Sequence, residues 1–197
     1  MKNKNKVEQY FHQKNYSLSE IILLILAGIS LFVMTFVQGG IPMGTPILLV
    51  CIVAFCIIRS FKIKDSDIDL ILDNMIRDNS IERSKTVIEC YDYRNALVKK
   101  IKDGSVISSK YCITDVKFSS QAIIFTVYKL DLINRVIEKE AYTVASNEKI
   151  LLIEEKIKTD VGIVEVSYID FNGTVIPVTL KEYNIACLVH KICDTDK

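Results

Sequence analysis

Residues 21–58 read IILLILAGISLFVMTFVQGGIPMGTPILLVCIVAFCII, without a single Asp, Glu, Lys, Arg or His. A single helix of this length, rising ~1.5 Å per residue, would reach ~57 Å, nearly twice the ~30 Å of a bilayer's hydrocarbon core. The chain must therefore fold back on itself. Residues 38–46 hold three of the seven Gly and two of the three Pro, the residues that most strongly interrupt a helix. The stretch predicts a membrane α-helical hairpin with spans at residues 18–38 and 46–61.

This hairpin divides the chain into four predicted parts. They are a basic cytosolic tail (1–17), the two-helix transmembrane hairpin (18–61), an amphipathic connecting helix (62–80) and a cytosolic β-rich domain (81–197). The connecting helix is predicted because apolar residues recur at helical spacing, namely at Ile68, Ile71, Leu72, Met75 and Ile76. The composition, 50% hydrophobic and 25% charged, suits one membrane module joined to one folded domain.

Basic residues flank the hairpin outside its connecting loop, whereas residues 38–46 carry no charge. The basic flanks are Lys2, Lys4, Lys6 and Lys14 before the first span and Arg59, Lys62 and Lys64 after the second. By the positive-inside rule, both termini are expected in the cytosol, in a two-pass protein of the inner membrane. A signal peptide is the competing interpretation, but the apolar run is too long and lacks a small-residue cleavage site. Ser17 and Glu20 have the spacing of a capping box, which predicts a helix start near Leu18.

The two predicted spans offer few side chains that could carry out chemistry. Residues 21–58 contain no ionisable side chain of the kind that marks ion paths and proton relays, which argues against a transporter or pump. Small side chains at Ala27, Gly28 and Ser30 would let helices approach closely in lipid, so we expect a homo-oligomer in the lipid bilayer. Whether the spans only anchor the protein or also form a pore stays open. The six Cys lack the spacing of a disulfide scaffold, which indicates thiols in a reducing compartment.

The soluble part is predicted to be an α+β, β-rich domain, either a small barrel or a pleckstrin-homology-like barrel. Asp103-Gly104 and Asn172-Gly173 are typical of tight hairpins. The second of these would place Ile169 opposite Ile176 and Phe171 opposite Thr174. Runs of β-branched and aromatic residues at 122–130 and 133–144 indicate a further hairpin.

Three segments of this domain are harder to assign. Residues 84–102 fit neither the helical nor the strand period, and we favour a strand or mixed segment. Residues 148–159 are compatible with a helix and with a strand. Residues 182–193 place Ile185, Leu188, Val189 and Ile192 on one helical face and predict a C-terminal helix.

Few residues offer catalytic chemistry. The chain has two His and no glycine-rich phosphate loop or nucleophile elbow, so we expect no enzyme activity, no catalytic residues and no cofactor. Cys187, His190 and Cys193 lie on one predicted helix face, but three ligands from one rigid helix seldom converge on one ion, so no metal site is expected. Asp115 and Lys117, with Asp103 upstream, imitate the carboxylates and lysine of metal-dependent nucleases, a weaker alternative.

Arginine is scarce in residues 62–197, where 4 Arg accompany 16 Lys. A guanidinium beside aromatic rings is suited to gripping a phosphate and stacking on a base. The candidate ligand-binding residues are therefore Arg94, Arg135, Tyr91 and Tyr93. The alternative is that Arg94 is a solvated residue beside core tyrosines. The same region carries 20 basic against 22 acidic residues, which argues against a nucleic acid polymer as partner.

Two N-terminal spans followed by a cytosolic β-rich domain, in about 200 residues, resemble the two-span effectors of bacterial cyclic-oligonucleotide anti-phage signalling (CBASS). The resemblance implies a small β-barrel that binds a cyclic oligonucleotide and drives the spans to assemble and breach the membrane in anti-phage defence. It is one of architecture and carries over no site residue. The alternative function is a non-catalytic anchor or scaffold subunit of a multiprotein membrane complex.

Overall fold

The computed structural model describes residues 4–37, 40–82, 87–145, 148 and 150–178. The chain forms two compact units. The hairpin unit comprises residues 12–64, and the β unit comprises residues 1–11 together with residues 65–197. The helices are α1 (Lys4–His12), α2 (Leu18–Phe36), α3 (Gly40–Ser60) and α4 (Asp65–Asp78).

Helix α2 begins where the sequence predicts. The Ser17 hydroxyl accepts a hydrogen bond from the Glu20 backbone N–H at 3.3 Å, and the Glu20 carboxylate accepts one from the Ser17 N–H at 2.6 Å. This reciprocal pair is a capping box, which satisfies two backbone donors that the first helical turn leaves without partners. The predicted start at Leu18 is confirmed.

Helix α3 begins earlier than predicted, at Gly40 rather than near Pro46. Pro42 lies in the first turn, where its missing N–H has no helical partner to lose, and Pro46 is accommodated within the helix. The Thr45 hydroxyl donates to the Ile41 carbonyl at 2.7 Å and so binds a backbone acceptor in the same turn. The connection between the helices is therefore shorter than the predicted loop.

The hairpin unit buries polar groups and exposes apolar ones. Ser30 is buried, and its hydroxyl donates to the Gly44 carbonyl at 2.6 Å. A Cβ on Gly44 would lie 2.3 Å from Met34 Cγ, so α2 and α3 touch where Gly44 has no side chain. Exposed apolar side chains cover the rest of both helices, among them Leu24, Ile25, Ile29, Phe32, Ile47, Val50 and Val53. Helices of this length and apolar surface are able to cross a membrane.

The two open ends of the hairpin are tied together. The Lys62 ammonium forms an ion pair with the buried Glu20 carboxylate. The Gln13 side chain accepts from the Ile63 N–H at 3.2 Å and donates to the Ile63 carbonyl at 3.3 Å. The segment that enters α2 and the segment that leaves α3 are therefore neighbours within this unit. Of the predicted small face, Ser30 is used inside the hairpin, while the space beside Gly28 is open within 4 Å.

The described part of the β unit contains nine strands. They are β1 (Val87–Asp92), β2 (Val98–Lys100), β3 (Val106–Ser108), β4 (Lys110–Phe118), β5 (Ala122–Asp131), β6 (Val136–Ala145), β7 (Leu151–Thr159), β8 (Gly162–Phe171) and β9 (Thr174–Val178). They form antiparallel sheets in the orders β1-β4-β5-β6, β2-β3 and β7-β8-β9. The prediction of a β-rich domain is confirmed.

The four-stranded and three-stranded sheets share one hydrophobic core. Alternate residues of β5, Phe125 and Val127, are fully buried, as expected for one face of a strand. Phe125 stacks on Phe171 of β8, with ring centroids 5.4 Å apart. Further core members are Ile88, Cys90, Cys112, Val116, Val144, Ile169, Ile176 and Val178.

The predicted barrel is wrong, because the sheets do not close among the residues that the structure describes. In the described pairings β6 pairs with β5 and β7 pairs with β8, so the chain changes sheet between them. Instead, the inner face of each sheet packs against the inner face of the other. The core lies between the two sheets, whose strands do not close into a barrel. The arrangement is an open two-sheet stack, with the short β2-β3 ribbon beside it.

Helix α4 covers the other face of the four-stranded sheet. Ile113 lies opposite Glu89 in the sheet register, away from the core face, and is nevertheless fully buried. On the same face, the charge of Asp69 in α4 contributes to raising the pKa of Tyr91 to about 12, after the larger effect of burial. A helix is thus present where the sequence predicts an amphipathic one, and its buried residues are Ile68, Leu72, Met75 and Ile76.

Residues assigned from sequence to the basic tail form helix α1. Val7, Tyr10 and Phe11 are buried in the structure and recur at i, i+3 and i+4. This spacing marks one face of an amphipathic helix. The N-terminal segment is therefore a packed element of the β unit up to Phe11.

Both predicted glycine turns are present. Asn172 and Gly173 have φ of 51° and 81°, as a type I′ turn requires, and Ile169 pairs with Ile176 as predicted. In the β2-β3 turn Gly104 has a positive φ (92°), whereas the described residues with positive φ do not include Asp103, so this turn is not type I′.

The contested segments are strands. Residues 84–102 contain β1 and β2, and the helix considered for residues 148–159 is strand β7. Pro177 lies in β9, which is the last strand of its sheet order, where a missing N–H is tolerated. The helix predicted at residues 182–193 lies outside the described residues, as do Cys187, His190 and Cys193.

Replacing Gly173 by Val should destabilise the β unit by about 1–2 kcal/mol, because a side chain at positive φ brings its Cβ against the backbone. No atom lies within 4 Å of the Cβ that Val would add, so the cost is conformational rather than a clash with neighbours. Urea unfolding followed by circular dichroism measures it. Gly173→Asn is the control, since Asn tolerates this conformation, and equal stability of the Val and Asn variants would contradict the turn assignment.

Candidate functional site

Arg94 lies in the turn that follows β1. Its backbone N–H donates to Asp92 Oδ1 at 3.0 Å, a side-chain-to-backbone bond that is typical of turns opened by Asp. The next residue, Asn95, has a φ of 51°, a conformation that Asn adopts more readily than most residues. Lys110 donates to the Arg94 carbonyl at 3.4 Å. These contacts fix the backbone from which the Arg94 side chain extends.

The guanidinium of Arg94 is held by an aromatic ring and a carboxylate. It lies 3.9 Å from the ring centroid of Tyr168, and its Nη2 donates to Glu155 Oε2 at 2.6 Å. The hydrogen bond to Glu155 raises the pKa of Arg94, so the group is a permanent cation. Burial raises the pKa of Tyr168 to about 12, against the opposing effect of the guanidinium. The Arg94 side chain remains 43% exposed, so part of it faces solvent.

A cleft of about 510 Å³ opens beside this arginine. Arg94, Lys156 and Lys158 supply its cationic side chains, and Glu155 and Asp160 supply its carboxylates. Lys156 also pairs with Glu165 at 3.0 Å, with both side chains exposed, where such a pair contributes little. We call these lining residues the Arg94 cleft. Its chemistry suits an anion that the planar guanidinium of Arg94 holds, whereas Lys156 and Lys158 alternate with Glu155 along β7 and so extend from the other face of that strand.

The other predicted site residues divide between this cleft and other places. Tyr93 lines the Arg94 cleft, but its hydroxyl donates to the Val106 carbonyl at 2.8 Å and so holds the β2-β3 ribbon. Tyr91 is not among the residues that line the cleft. It packs edge-on against Tyr111, with ring centroids 5.0 Å apart, on the face that α4 covers. Burial and the nearby Cys90 raise the pKa of Tyr93 to about 12.

Arg135 belongs to a different part of the sheet. It is the last residue of the β5-β6 turn, is exposed, and has a φ of 54°. The Asp131 carboxylate organises this turn by accepting from the N–H groups of Ile133 and Asn134, each at 2.9 Å. Arg135 does not line the Arg94 cleft. The structure thus brings together Arg94 and Tyr93, and separates both from Arg135.

Sequence reasoning missed the groups that hold Arg94. Tyr168 and Glu155 lie on the β7-β8 hairpin, and Glu155 is 61 residues from Arg94 along the chain. A helical interpretation of residues 148–159 conceals the fact that Glu155 lies on a strand. The available signal is the Gly162 turn between two β-branched runs, which would have paired Glu155 with Val166, two residues from Tyr168.

A second cluster, which we call the entry clasp, joins α1 to α4 and β2 within the β unit. The fully buried Tyr10 donates its hydroxyl to Asp65 Oδ1 at 2.7 Å. Lys99 donates to the Tyr10 carbonyl at 2.8 Å, and its ammonium lies 3.7 Å from the centroid of the Tyr10 ring. Burial and the Asp65 carboxylate raise the pKa of the Tyr10 hydroxyl. The clasp therefore fixes residues on both chain segments that flank the hairpin unit.

The nuclease-like residues Asp103, Asp115 and Lys117 are engaged in local contacts. Asp103 lies in the β2-β3 turn and accepts from the Ser105 N–H and hydroxyl, at 2.8 and 2.7 Å. Asp115 lies on β4 and pairs with Lys117 at 3.6 Å. No group of three or more His, Cys, Asp or Glu side chains is placed to hold a metal among the described residues.

Comparison with known proteins returned no match to a family model, to a curated protein or to a solved structure.

Proposed function

We propose that this protein is a membrane-anchored sensor or effector. Its β unit binds a small anionic ligand in the Arg94 cleft, and binding drives assembly of the two spans. Cyclic oligonucleotides are the first ligand class to test, with membrane damage in anti-phage defence as the outcome. The single observation that carries the proposal is a permanent guanidinium that contacts Tyr168 and Glu155, lines a cleft and is partly exposed.

Pre-organisation is what makes this arginine suitable for binding. A free Arg side chain loses rotamer entropy when it captures a ligand, whereas Arg94 is already held in one orientation. Glu155 occupies only part of the guanidinium, and Lys156 and Lys158 add positive charge nearby. A phosphate diester could accept from the remaining N–H groups without displacing Glu155.

The entry clasp supports the coupling step. Lys99 lies on β2, which follows the turn that carries Arg94, and it donates to Tyr10 next to the first span in sequence. Tyr10 in turn binds Asp65, just after the second span in sequence. A ligand that reorders the β1-β2 connection would alter contacts of both segments that lead to the spans.

The binding prediction separates the two arginines. Arg94→Ala should weaken ligand binding ~10- to 150-fold, because a charge-assisted contact to phosphate contributes ~1.5–3 kcal/mol. Arg135→Ala should leave affinity unchanged, since Arg135 lies outside the cleft. Calorimetry of the full-length protein in detergent against cyclic di- and trinucleotides measures both. Arg94→Lys keeps the charge but loses the planar fork, and we expect intermediate affinity.

Two outcomes would contradict the proposal. Equal losses in the Arg94 and Arg135 variants would show a general charge effect instead of a site. No heat with any ligand, together with normal growth of cells that express the protein strongly, would favour the alternative of a non-catalytic anchor or scaffold. Exposed apolar side chains on the β7-β8 hairpin, Leu151, Leu152 and Ile163, are the observation that favours that alternative.

The topology prediction is that both termini lie in the cytosol. The basic flanks motivate it, and the neighbouring ends of the hairpin support placing both flanks on one side. A Cys introduced at Gly40 should gain label from an impermeant thiol reagent added outside intact cells, and a Cys at Asn3 should not. The parent protein, with its own six Cys, is the baseline. Labelling at Asn3 but not at Gly40 would reverse the orientation.

A further inference from the structure

Two cysteines face each other in the core. Cys90 on β1 is directly opposite Cys112 on β4 in the antiparallel register. Residues opposed in this way have Cα atoms ~4.5–5.5 Å apart, inside the ~4.4–6.8 Å range that a disulfide spans. Both carry thiols in the structure. A bond between them would therefore require little movement of either strand.

A cavity adjoins Cys112, one member of this pair. It has a volume of about 430 Å³, lies at one end of the four-stranded sheet, and has Cys112, Lys110 and Lys129 among its lining residues. Lys129 is directly opposite Cys112 on β5, so Cys90, Cys112 and Lys129 form one row across three strands. Cys112 is thus buried within the fold and is also the member of the pair that the cavity reaches.

The surroundings of Cys112 favour its thiolate. A hydrogen bond from Cys90 lowers the pKa of the Cys112 thiol, and the Thr114 hydroxyl and the Lys129 charge act in the same direction. Burial and the charge of Asp92 oppose them, and the net shift is downward. The Thr114 oxygen lies 3.8 Å from the Cys112 sulfur. Because the thiolate is the form that attacks oxidants, Cys112 is suited to react first and Cys90 to resolve the product.

We propose that Cys90 and Cys112 form a reversible oxidation site, at which a small hydroperoxide entering the cavity converts the two thiols to a cross-strand disulfide. The Cys112 thiolate attacks a peroxide oxygen, the O–O bond breaks, and an S–O bond forms. The departing hydroxide takes a proton and leaves as water. The Cys90 thiol then attacks the sulfenic sulfur, an S–S bond forms, the S–O bond breaks, and a second water leaves.

The two thiols lose two electrons and hydrogen peroxide gains them, so the step balances with two waters as products. A dithiol reductant reverses it by thiol–disulfide exchange and is itself oxidised. The inference is independent of ligand binding. It nevertheless concerns β1, the strand that ends at Asp92 and holds the backbone of Arg94.

The test uses full-length protein in detergent, treated with one equivalent of hydrogen peroxide and alkylated with N-ethylmaleimide in denaturant. Trypsin places the two cysteines in separate peptides, residues 86–94 and 111–117. We expect these peptides to be joined, with the loss of two hydrogen atoms, and to separate after dithiothreitol. Cys56, which is exposed on α3, serves as the internal comparison and should remain alkylated without a partner.

Variants identify the attacking thiol. Cys90→Ser should trap a sulfenic acid on Cys112, detected as a dimedone adduct, whereas Cys112→Ser should give no adduct on Cys90. Lys129→Gln should slow formation of the joined peptides, and Lys117→Gln, an exposed lysine on β4, should not. If both cysteines of the wild-type protein stay fully alkylated after peroxide, or Cys112 joins other cysteines as often as Cys90, the proposal is wrong. The wild-type peptide map decides this even if a serine variant does not fold.

Discussion

Replacing Tyr10 by Ala should release helix α1 from the β unit and destabilise that unit by about 3–5 kcal/mol, the usual cost of truncating a fully buried aromatic side chain. This is a large part of the about 5–15 kcal/mol that stabilises a typical domain. Tyr10 has no exposed surface, and its loss also removes the ring against which the Lys99 ammonium lies. Amide hydrogen exchange should show loss of protection in α1, and urea unfolding should show the loss of stability.

Tyr10→Phe is the matched control because it keeps the ring and removes only the hydroxyl that binds Asp65. We expect it to cost about 0.5–1.5 kcal/mol, the net contribution of a single hydrogen bond, with α1 still protected. If Tyr10→Ala left the exchange of α1 unchanged, the helix would not be held by this residue. The entry clasp would then have no role in linking the N-terminal segment to the β unit.

The second large effect is expected at Phe125. Phe125→Ala should destabilise the β unit by about 3–5 kcal/mol, because Phe125 is fully buried and stacks on Phe171 of the opposite sheet. The truncation leaves a cavity between the two sheets, and movement of one sheet alone cannot fill it. Urea unfolding monitored by circular dichroism measures the change.

Ile163→Ala is the control in the same unit, since Ile163 is 70% exposed and its truncation should change stability by no more than about 0.5 kcal/mol. A Phe125→Ala variant as stable as Ile163→Ala would mean that the two sheets do not share a core.

Features that depend on nearby residues were predictable from the sequence. The start of α2 follows from Ser17 and Glu20, three residues apart, and the β8-β9 register follows from Asn172-Gly173. The pair of apolar helices follows from the uncharged run at residues 21–58. In each of these cases the physical cause lies within one continuous stretch of the chain, so the sequence pattern is enough to predict it.

Features that depend on distant partners were not predictable. Arg94 drew attention because tyrosines stand beside it in sequence, yet the ring on which it lies belongs to Tyr168. Composition does not distinguish Arg135 from Arg94 as a candidate ligand-binding residue, and only the fold places Arg135 outside the Arg94 cleft. The closure of the sheets was also mispredicted, because alternation within a strand fixes which side chains face inward but not which strands become neighbours.

The burial of Tyr10 also depends on distant partners, although part of the pattern behind it is local. Val7, Tyr10 and Phe11 share a helical face, and that spacing was visible in the sequence. The sequence nevertheless predicts a tail here, because lysines flank this face and a basic segment before an apolar helix is typical of a tail. A short amphipathic pattern predicts a packed helix only when the surface that it packs against is known. Here that surface is formed by residues far along the chain.

The distance between Tyr10 and its partners has a consequence for biosynthesis. Tyr10 is made early, but Asp65 follows 55 residues later and Lys99 follows 89 residues later, after both helices of the hairpin unit. Because a nascent chain is made from its N-terminus, α1 can form these contacts only after the hairpin unit has been synthesised. The two ends of the hairpin unit are joined by the Lys62–Glu20 ion pair and by the contacts of Gln13 with Ile63. Docking of α1 would thus be a late step of folding that follows formation of the hairpin unit.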